Sequence, residues 1–441
     1  MAAVLSRVAP LPAQEVALAA LATEPPGRTL AADVHAVALV PPFDAAAMDG
    51  YAVRLAELPA DGAPATLPVV GDLRPGSPPG RGGHHTTGVA VRIMTGAPVP
   101  AWADAVVPVE RTSTARFVAG GPTTEREVTL ARQDRTHVRR RGEDVHPGDL
   151  LGRAGDVVTP ALVAVAASAG LTALPVRRRP RVAVLSTGSE LVPAEDAGAA
   201  ADGRIPDSNS LLLAALARAA GADVVRVGAV PDDADALRAA LDGVVGAISG
   251  AMRPRIVPEI APTTQDGGAG VDLVVTTGGV SAGASDVVRA VLDGPDARLT
   301  DVDVAAVALR PGRPQALARW RGVPWVALPG NPVSAFVSFA LFVRPAVAAL
   351  AGRGPARPVR RPAAEAWPSP PGRTHAVPVR TLPSGEVVRA AAPGSGGHGG
   401  HATSALLGAD ALALVAPDVD KVEPGDFLDV LPLDLPFGGA T

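Results

Sequence analysis

From about residue 177 to 352 the chain predicts a doubly wound, mostly parallel α/β sheet, and three observations carry that expectation. Unbroken apolar runs (RVAVLST, VVRVGAV, VDLVVTT and VPWVALPG) alternate with helix-like stretches, and strands buried on both faces read as continuous apolar runs. Each run ends in a turn rich in Gly, Ser, Pro or Asp. The flanking regions lack this alternation, so the sheet is one module of a multidomain chain. A length of 441 residues has room for roughly three domains.

Taken in order, residues 1–52 together with 137–176 read as a helical or mixed N-terminal domain. Residues 13–24 look helical, and so do 157–170 (VVTPALVAVAASAG). Residues 53–136 are short β-like runs with turn signals such as RPGSPPGRGG, which predicts an inserted β-rich domain. The sheet module spans 177–353. Its strands are separated by SLLLAALARAAG, DADALRAALDGVV and DVVRAVLDG, and a further strand-like run, VDVAAVAL, precedes the last strand. The segment PVSAFVSFALFVRPAVAAL (332–350) reads as a buried helix interrupted at Arg344-Pro345 rather than as a membrane span. Residues 247–270 are Pro/Gly-rich without a period and read as a mobile surface insertion. From 354 to 441 a Pro/Arg-rich linker gives way to short strands, a β-barrel-like domain.

Forty basic against 44 acidic residues leave a net charge of −4, so bulk charge signals neither a nucleic-acid nor a membrane-surface partner. With no cysteine there is no disulfide, thiolate metal site or cysteine nucleophile. The N-terminus lacks the charged and then apolar pattern of a signal peptide, and a cytoplasmic enzyme fits these features. The single tyrosine, Tyr51, and the asparagines Asn209 and Asn331 all fall in glycine-rich polar clusters.

Ligands of open α/β sheets bind beyond the carboxyl ends of the strands. The loops STGSE (186–190), PDD (231–233), TTGGVSAGASD (276–286) and LPGNPVS (328–334) all follow strands and should gather on one edge. There Glu190, Asp232, Asp233 and Asp286 would repel one another and call for a cation, most simply Mg²⁺; helix capping is the plainer reading of each alone. The turn TTGGVS offers backbone N–H groups unobstructed by Cβ atoms, which suits a phosphate. Arg310 and Arg313 in LRPGRP could clamp an oxyanion with their guanidinium forks, or simply face solvent. LPGNPVS is either a tight turn or a preformed ligand wall. PPFDAAAMDGYAV, VRIMTGAPVP and RRRGEDVHPGD place Asp49, Thr95 and Asp144 in glycine turns. GVSAG also spells the G-x-S-x-G of a hydrolase elbow around Ser281. That reading needs a later acid and histidine, and the only later histidines, His375, His398 and His401, lie in the C-terminal module. His84-His85 reads as a solvated loop.

The set AMDGYAV, IMTGAPVP, RRRGED, LSTGSEL, PDSN, PDD, TTGGVSAGASD, LRPGRP and LPGNPVS, in this order, resembles the molybdopterin molybdenumtransferase family, whose animal relative is the E domain of gephyrin. The resemblance runs from about residue 10 to 352 and continues more weakly to the end. It implies insertion of molybdate into adenylylated molybdopterin with release of AMP, the last step of molybdenum cofactor synthesis. A cofactor-binding or carrier paralogue is the alternative. It further implies a homodimer in which the sheet domain of one subunit faces the N-terminal domains of the other, and contact with other cofactor-synthesis proteins. By resemblance, Asp49, Thr95, Glu190, Asp232 and Asp286 are catalytic, with Glu190 and Asp286 on Mg²⁺. Thr187, Gly188, Ser208, Asn209, Thr277, Gly278, Gly279, Ser281, Gly283, Pro329, Gly330, Asn331 and Pro332 line the pterin site. Arg310 and Arg313, with Ser334 and Ser404, are the molybdate clamp. The chain departs from the family pattern at Arg310 and Arg313, where lysines are usual, and at Ala46, Ser189 and Ala284.

Overall fold

The computed structural model describes residues 1–78, 87–117, 125–194, 196, 203–246, 270–280, 286–390 and 403–433. Apart from Gly270, the expected insertion at 247–270 lies outside the described residues, as do His84 and His85.

The sheet module has six strands, labelled here in chain order: β1 Arg181–Thr187, β2 Asp223–Val230, β3 Leu273–Thr277, β4 Leu299–Ala305, β5 Gln315–Trp320 and β6 Val323–Leu328. Their spatial order is β2-β1-β3-β6-β5-β4. The first four in that order are mutually parallel. The β5–β6 hairpin turns the edge antiparallel, and β4 follows it. The run QALARW was not legible as a strand, and VDVAAVAL divides: β4 ends at Ala305, while Leu309–Arg310 leaves to pair in parallel with Thr374–His375 of the C-terminal sheet. That small exchange ties the two modules together.

Alternation along each strand explains the double winding. Val182, Val184, Leu273, Val275, Val326 and Leu328 face helices α1 (Ser208–Ala219), α4 (Pro332–Ser338) and α5 (Arg344–Leu350). Ala183, Leu185, Val274, Trp325 and Ala327 face α2 (Ala234–Gly246) and α3 (Val287–Asp293). Both faces are covered, so the strand interiors are mostly apolar. Trp325 Nε1 still finds a buried partner, donating to Thr276 Oγ1 at 2.9 Å.

The long apolar segment is not broken at Arg344-Pro345. A π turn at Phe339–Val343 joins α4 to α5. Pro345 has no N–H to give to the preceding turn, and a π turn absorbs that loss without ending the helix. Among the described residues this is the one helix long and apolar enough to cross a bilayer, and most of it is buried against the sheet and the C-terminal strands.

Outside this module the expected helix at 13–24 is a strand, Ala13–Ala17, followed by one helical turn, Leu18–Leu21. Ala, Gln and Glu favour helix, yet AQEVA lies antiparallel to Ala173–Arg177, and that pairing overrides the local preference. The helix at Pro160–Ser168 forms as expected, capped by Thr159. Five strands, at 105–108, 50–53, 90–93, 65–73 and 127–130 in spatial order, make the inserted sheet. In the C-terminal part, strands 374–381, 411–415, 427–432 and 359–362 lie side by side, with 387–389 added to 374–381.

Tyr51 is the polar anchor of the inserted sheet. It is fully buried, and its hydroxyl bonds Glu125 Oε2 at 2.5 Å and Thr114 Oγ1 at 2.8 Å. Arg92 lies over the Phe117 ring at 3.9 Å, and that ring meets Tyr51 edge-on. Burial, reinforced by the Glu125 carboxylate, pushes the Tyr51 phenol up to about 12. A raised phenol pKa gives stability that is complete below the unfolded value, roughly 10, and is lost as pH climbs through about 12. Tyr51→Phe should therefore cost about 1–3 kcal/mol at neutral pH. In denaturant titrations the difference from the unsubstituted chain should shrink between these two pH values.

Candidate functional site

Because β1, β2, β3 and β6 run parallel, the loops after them share one edge, as the sequence predicts. The contacts there are backbone on backbone. A Cβ on Gly278 would lie 2.5 Å from the Thr187 carbonyl oxygen, and one on Gly330 would lie 3.2 Å from Gly278 Cα. Gly278 and Gly279 have φ of +94° and +59°, values that L side chains rarely adopt. Three loops thus close on one another with no side chain between them.

Side chains then lock this arrangement. Thr277 Oγ1 donates to the Pro329 carbonyl at 2.9 Å. Asn209 Nδ2 donates to the Gly330 carbonyl at 2.6 Å and lies 3.2 Å from Thr277 Oγ1. Asp207, which sequence reading missed, accepts from Ser186 Oγ at 2.7 Å and caps α1 through Ser210 N at 3.0 Å. Ser208 opens that helix. The second carboxylate oxygen of Asp207 and the amide oxygen of Asn209 are buried without a partner among the described residues. Buried acceptors are rarely left so.

The carboxylates divide by role. Asp233 is a cap, accepting from Ala236 N at 2.8 Å. Asp232 is tied to the first loop, accepting from Ser189 N at 2.9 Å while its own N–H donates to Ser189 Oγ at 3.0 Å. The serine that departs from the family pattern is thus a fastening between two strand ends. Glu190 is exposed, and its carboxylate lies against Gly188, whose missing Cβ would fall 2.6 Å from Oε2. Asp286 stands at the N-cap of α3 without a side-chain capping bond. Asn331 is a cap: its Oδ1 accepts from Val333 N at 3.1 Å and Ser334 N at 3.2 Å, and Pro332 begins α4. Ser281 and Gly283 lie outside the described residues. Among the described residues no three acids or histidines converge to hold a metal ion, so a cation here would need ligand oxygens from elsewhere.

A second cluster lies where Leu309–Arg310 joins the C-terminal sheet. The Arg-Pro-Gly-Arg-Pro turn is held from beneath by Gln315, whose Nε2 donates to the Gly312 carbonyl at 2.8 Å and to Ser338 Oγ at 2.9 Å. Gln315 and Ser338 are buried and were not legible in the sequence. Arg310 and Arg313 stay exposed, and among the described residues no carboxylate pairs with either. The short helical turn Thr403–Leu406, carrying Ser404, packs against α4, and Ser334 is buried on α4.

Asp49 and Thr95 form a third group. Asp49 Oδ1 accepts from both the N–H and the hydroxyl of Thr95, each at 2.7 Å. They sit beside the inserted sheet, at the ends of strands 50–53 and 90–93, and no hydrogen bond or ion pair among the described residues joins them to the other two clusters. RRRGED folds back the same way: Asp44 takes Arg140 Nη1 at 2.8 Å and Arg141 N at 2.7 Å, which holds its carboxyl below the usual range. Asp144 N donates to the Val40 carbonyl, an ordinary turn.

A doubly wound sheet whose glycine-rich loops gather at the carboxyl edge defines an α/β module for binding a small molecule. Known proteins give the same answer in detail. Residues 1–170 match the model of the MoeA N-terminal region (domains I and II), residues 183–251 and 254–349 the "Probable molybdopterin binding domain", and residues 360–433 the MoeA C-terminal region (domain IV). A Mycobacterium tuberculosis protein named molybdopterin molybdenumtransferase 2 is 42% identical over 334 residues, covering 73% of this chain and 72% of the relative. The Haemophilus influenzae molybdopterin molybdenumtransferase is 34% identical, covering 75% and 72%. A crystal structure of a Pyrococcus horikoshii molybdopterin biosynthesis protein superposes with a TM-score of 0.69 at 26% identity, covering 98% and 96% of the two chains. The chain belongs to the molybdopterin molybdenumtransferase (MoeA) family.

The loop closure makes a graded prediction. Gly278→Ala combines a left-handed φ with a clash against backbone and should cost about 3 kcal/mol or more. Gly330→Ala, with one contact that a small shift relieves, should cost about 1 kcal/mol. Chemical denaturation of the two variants measures the difference, and equal losses would contradict the packing described.

Proposed function

We propose that this chain inserts molybdate into adenylylated molybdopterin and releases AMP, completing the molybdenum cofactor. The observation that carries the reading is the pairing of two unlike sites on one module. At the strand edge, glycine backbone and the orphaned oxygens of Asp207 and Asn209 suit a pterin that carries N–H donors and a phosphoanhydride. At the module boundary, Arg310 and Arg313 on a braced turn suit a tetrahedral oxyanion, and guanidinium forks match such oxygens.

Asp286, at the start of α3, and Glu190, against Gly188, are the residues for cleavage of the phosphoanhydride. Mg²⁺ fits as an ion bound by one or two of these carboxylates together with substrate phosphates, the common mode for that cation. When bound it would neutralise phosphate charge, while Glu190 and Asp286 keep it near the glycine turn. Ser334 and Ser404 complete the oxyanion side.

Asp49 and Thr95 join the site in a homodimer, contributed by the second subunit. Exposed Val37, Leu150, Val157 and Val165 lie around the 160–168 helix and supply an apolar face for such an association. The chain divides into 1–52 with 137–176, 53–136, 177–353 and 354–441, a reading that the separate sheets support. A cytoplasmic location, with hand-over to other cofactor-synthesis proteins, suits the chemistry.

Two substitutions test the reading. Asp286→Ala should abolish molybdate-dependent AMP release from adenylylated molybdopterin while ligand binding persists. Arg310→Ala should raise the KM for molybdate by about tenfold or more, the scale of losing one charge-assisted pair, with the KM for the pterin little changed. An unsubstituted chain that binds the pterin yet never releases AMP on addition of molybdate and Mg²⁺ would instead be a cofactor-binding paralogue.

A further inference from the structure

His375 is half-buried on the C-terminal strand 374–381, directly across a parallel register from Arg310. In-register partners on parallel strands carry their side chains on the same face of the sheet, so the imidazole and the guanidinium are neighbours. Its other strand neighbour is Val415, which carries no charge. Its Nδ1 lies 3.3 Å from the hydroxyl of Ser369, a fully buried residue. That contact fixes the ring and leaves Nε2 for a ligand. Among the described residues Arg310 is the one charged group acting on the ring, and no carboxylate balances the pair.

Arg310 and His375 thus stand side by side with no anion of their own among the described residues. An imidazole is ordinarily placed beside an acid or left in water; one half-buried beside a guanidinium is disfavoured as a cation. Burial first, and Arg310 second, hold it down to about 4. At neutral pH it is therefore neutral in the ligand-free protein. An oxyanion seated between Arg310 and His375 reverses that balance, because it screens the guanidinium and offers the ring a hydrogen-bond acceptor.

We propose that His375 is a third oxyanion-binding residue of the Arg310–Arg313 clamp, and that it takes up a proton when a tetrahedral dianion such as molybdate binds. This rests on the clamp reading given above. The proton comes from solvent and lodges on the imidazole, so two arginines and an imidazolium face the dianion in the bound state. Affinity then rises as pH falls, in the range between the bound and the free pKa of the ring. A chain with lysine or arginine at this position would bind without that dependence. The neutral free state also lowers repulsion within an unoccupied clamp.

His375→Gln is the diagnostic variant, because glutamine can still reach Ser369 but cannot carry charge. The KM for molybdate in AMP release should be about tenfold above that of the unsubstituted chain at pH 6.5, and the two should converge by pH 8.5. The KM for adenylylated molybdopterin should not move at either pH. Calorimetric titration with molybdate in two buffers of different ionisation enthalpy should show proton uptake in the unsubstituted chain and none in His375→Gln. If Arg310→Ala raises the molybdate KM while His375→Gln matches the unsubstituted chain at pH 6.5 with proton uptake intact, the role of His375 is wrong and the clamp stands. If Arg310→Ala also leaves that KM unchanged, the clamp reading itself has failed.

Discussion

Backbone meets backbone at the carboxyl edge of the sheet, and everything the site does depends on that approach. The loops after β1, β3 and β6 close on one another, so that a Cβ on Gly278 would meet the Thr187 carbonyl at 2.5 Å and one on Gly330 would meet Gly278 Cα at 3.2 Å. Protein interiors rarely permit such contact outside regular ladders, because side chains stand in the way. Here glycine removes the obstacle, and Asn209 and Thr277 tie the three loops with short polar bonds.

The second constraint is where the arginine turn sits. Leu309–Arg310 belongs to the chain of the α/β module but to the sheet of the C-terminal one. A turn shared between two bodies is positioned by both. Gln315 and Ser338 brace it from the first, and the strand 374–381 from the second. The bracing is buried and uncharged, so the guanidinium groups are held out without being neutralised. An oxyanion site needs that combination: rigidity from beneath and unspent positive charge above. Gln315 grips the backbone of the turn and not its charged side chains.

The carboxylates illustrate how far residue type alone can mislead. Asp232, Asp233, Glu190 and Asp286 look equivalent as acids after strands. In the fold, Asp233 satisfies a helix N–H, and Asp232 is joined to Ser189. Asn331, a candidate wall of the ligand site, uses its oxygen to cap α4. Asp207, unremarkable in the string PDSNS, proves to be the buried acid with an unanswered oxygen. Capping and ligand binding draw on the same donors and acceptors, and only the actual partners separate them.

The sequence alone determined the sheet module, its parallel core and the edge on which its loops meet, because apolar period and glycine punctuation are local and survive in any context. It marked Arg310, Arg313 and the glycine turn for the same reason. It misread 13–17, where helix-favouring Ala, Gln and Glu were overruled by pairing with 173–177. It left QALARW unassigned, since an antiparallel strand added at the sheet edge is specified by its neighbours. Gln315, Ser338 and His375 became visible only in three dimensions. Their significance is which distant group each one touches, and a contact between residues tens of positions apart leaves no period in the chain for a reader to find.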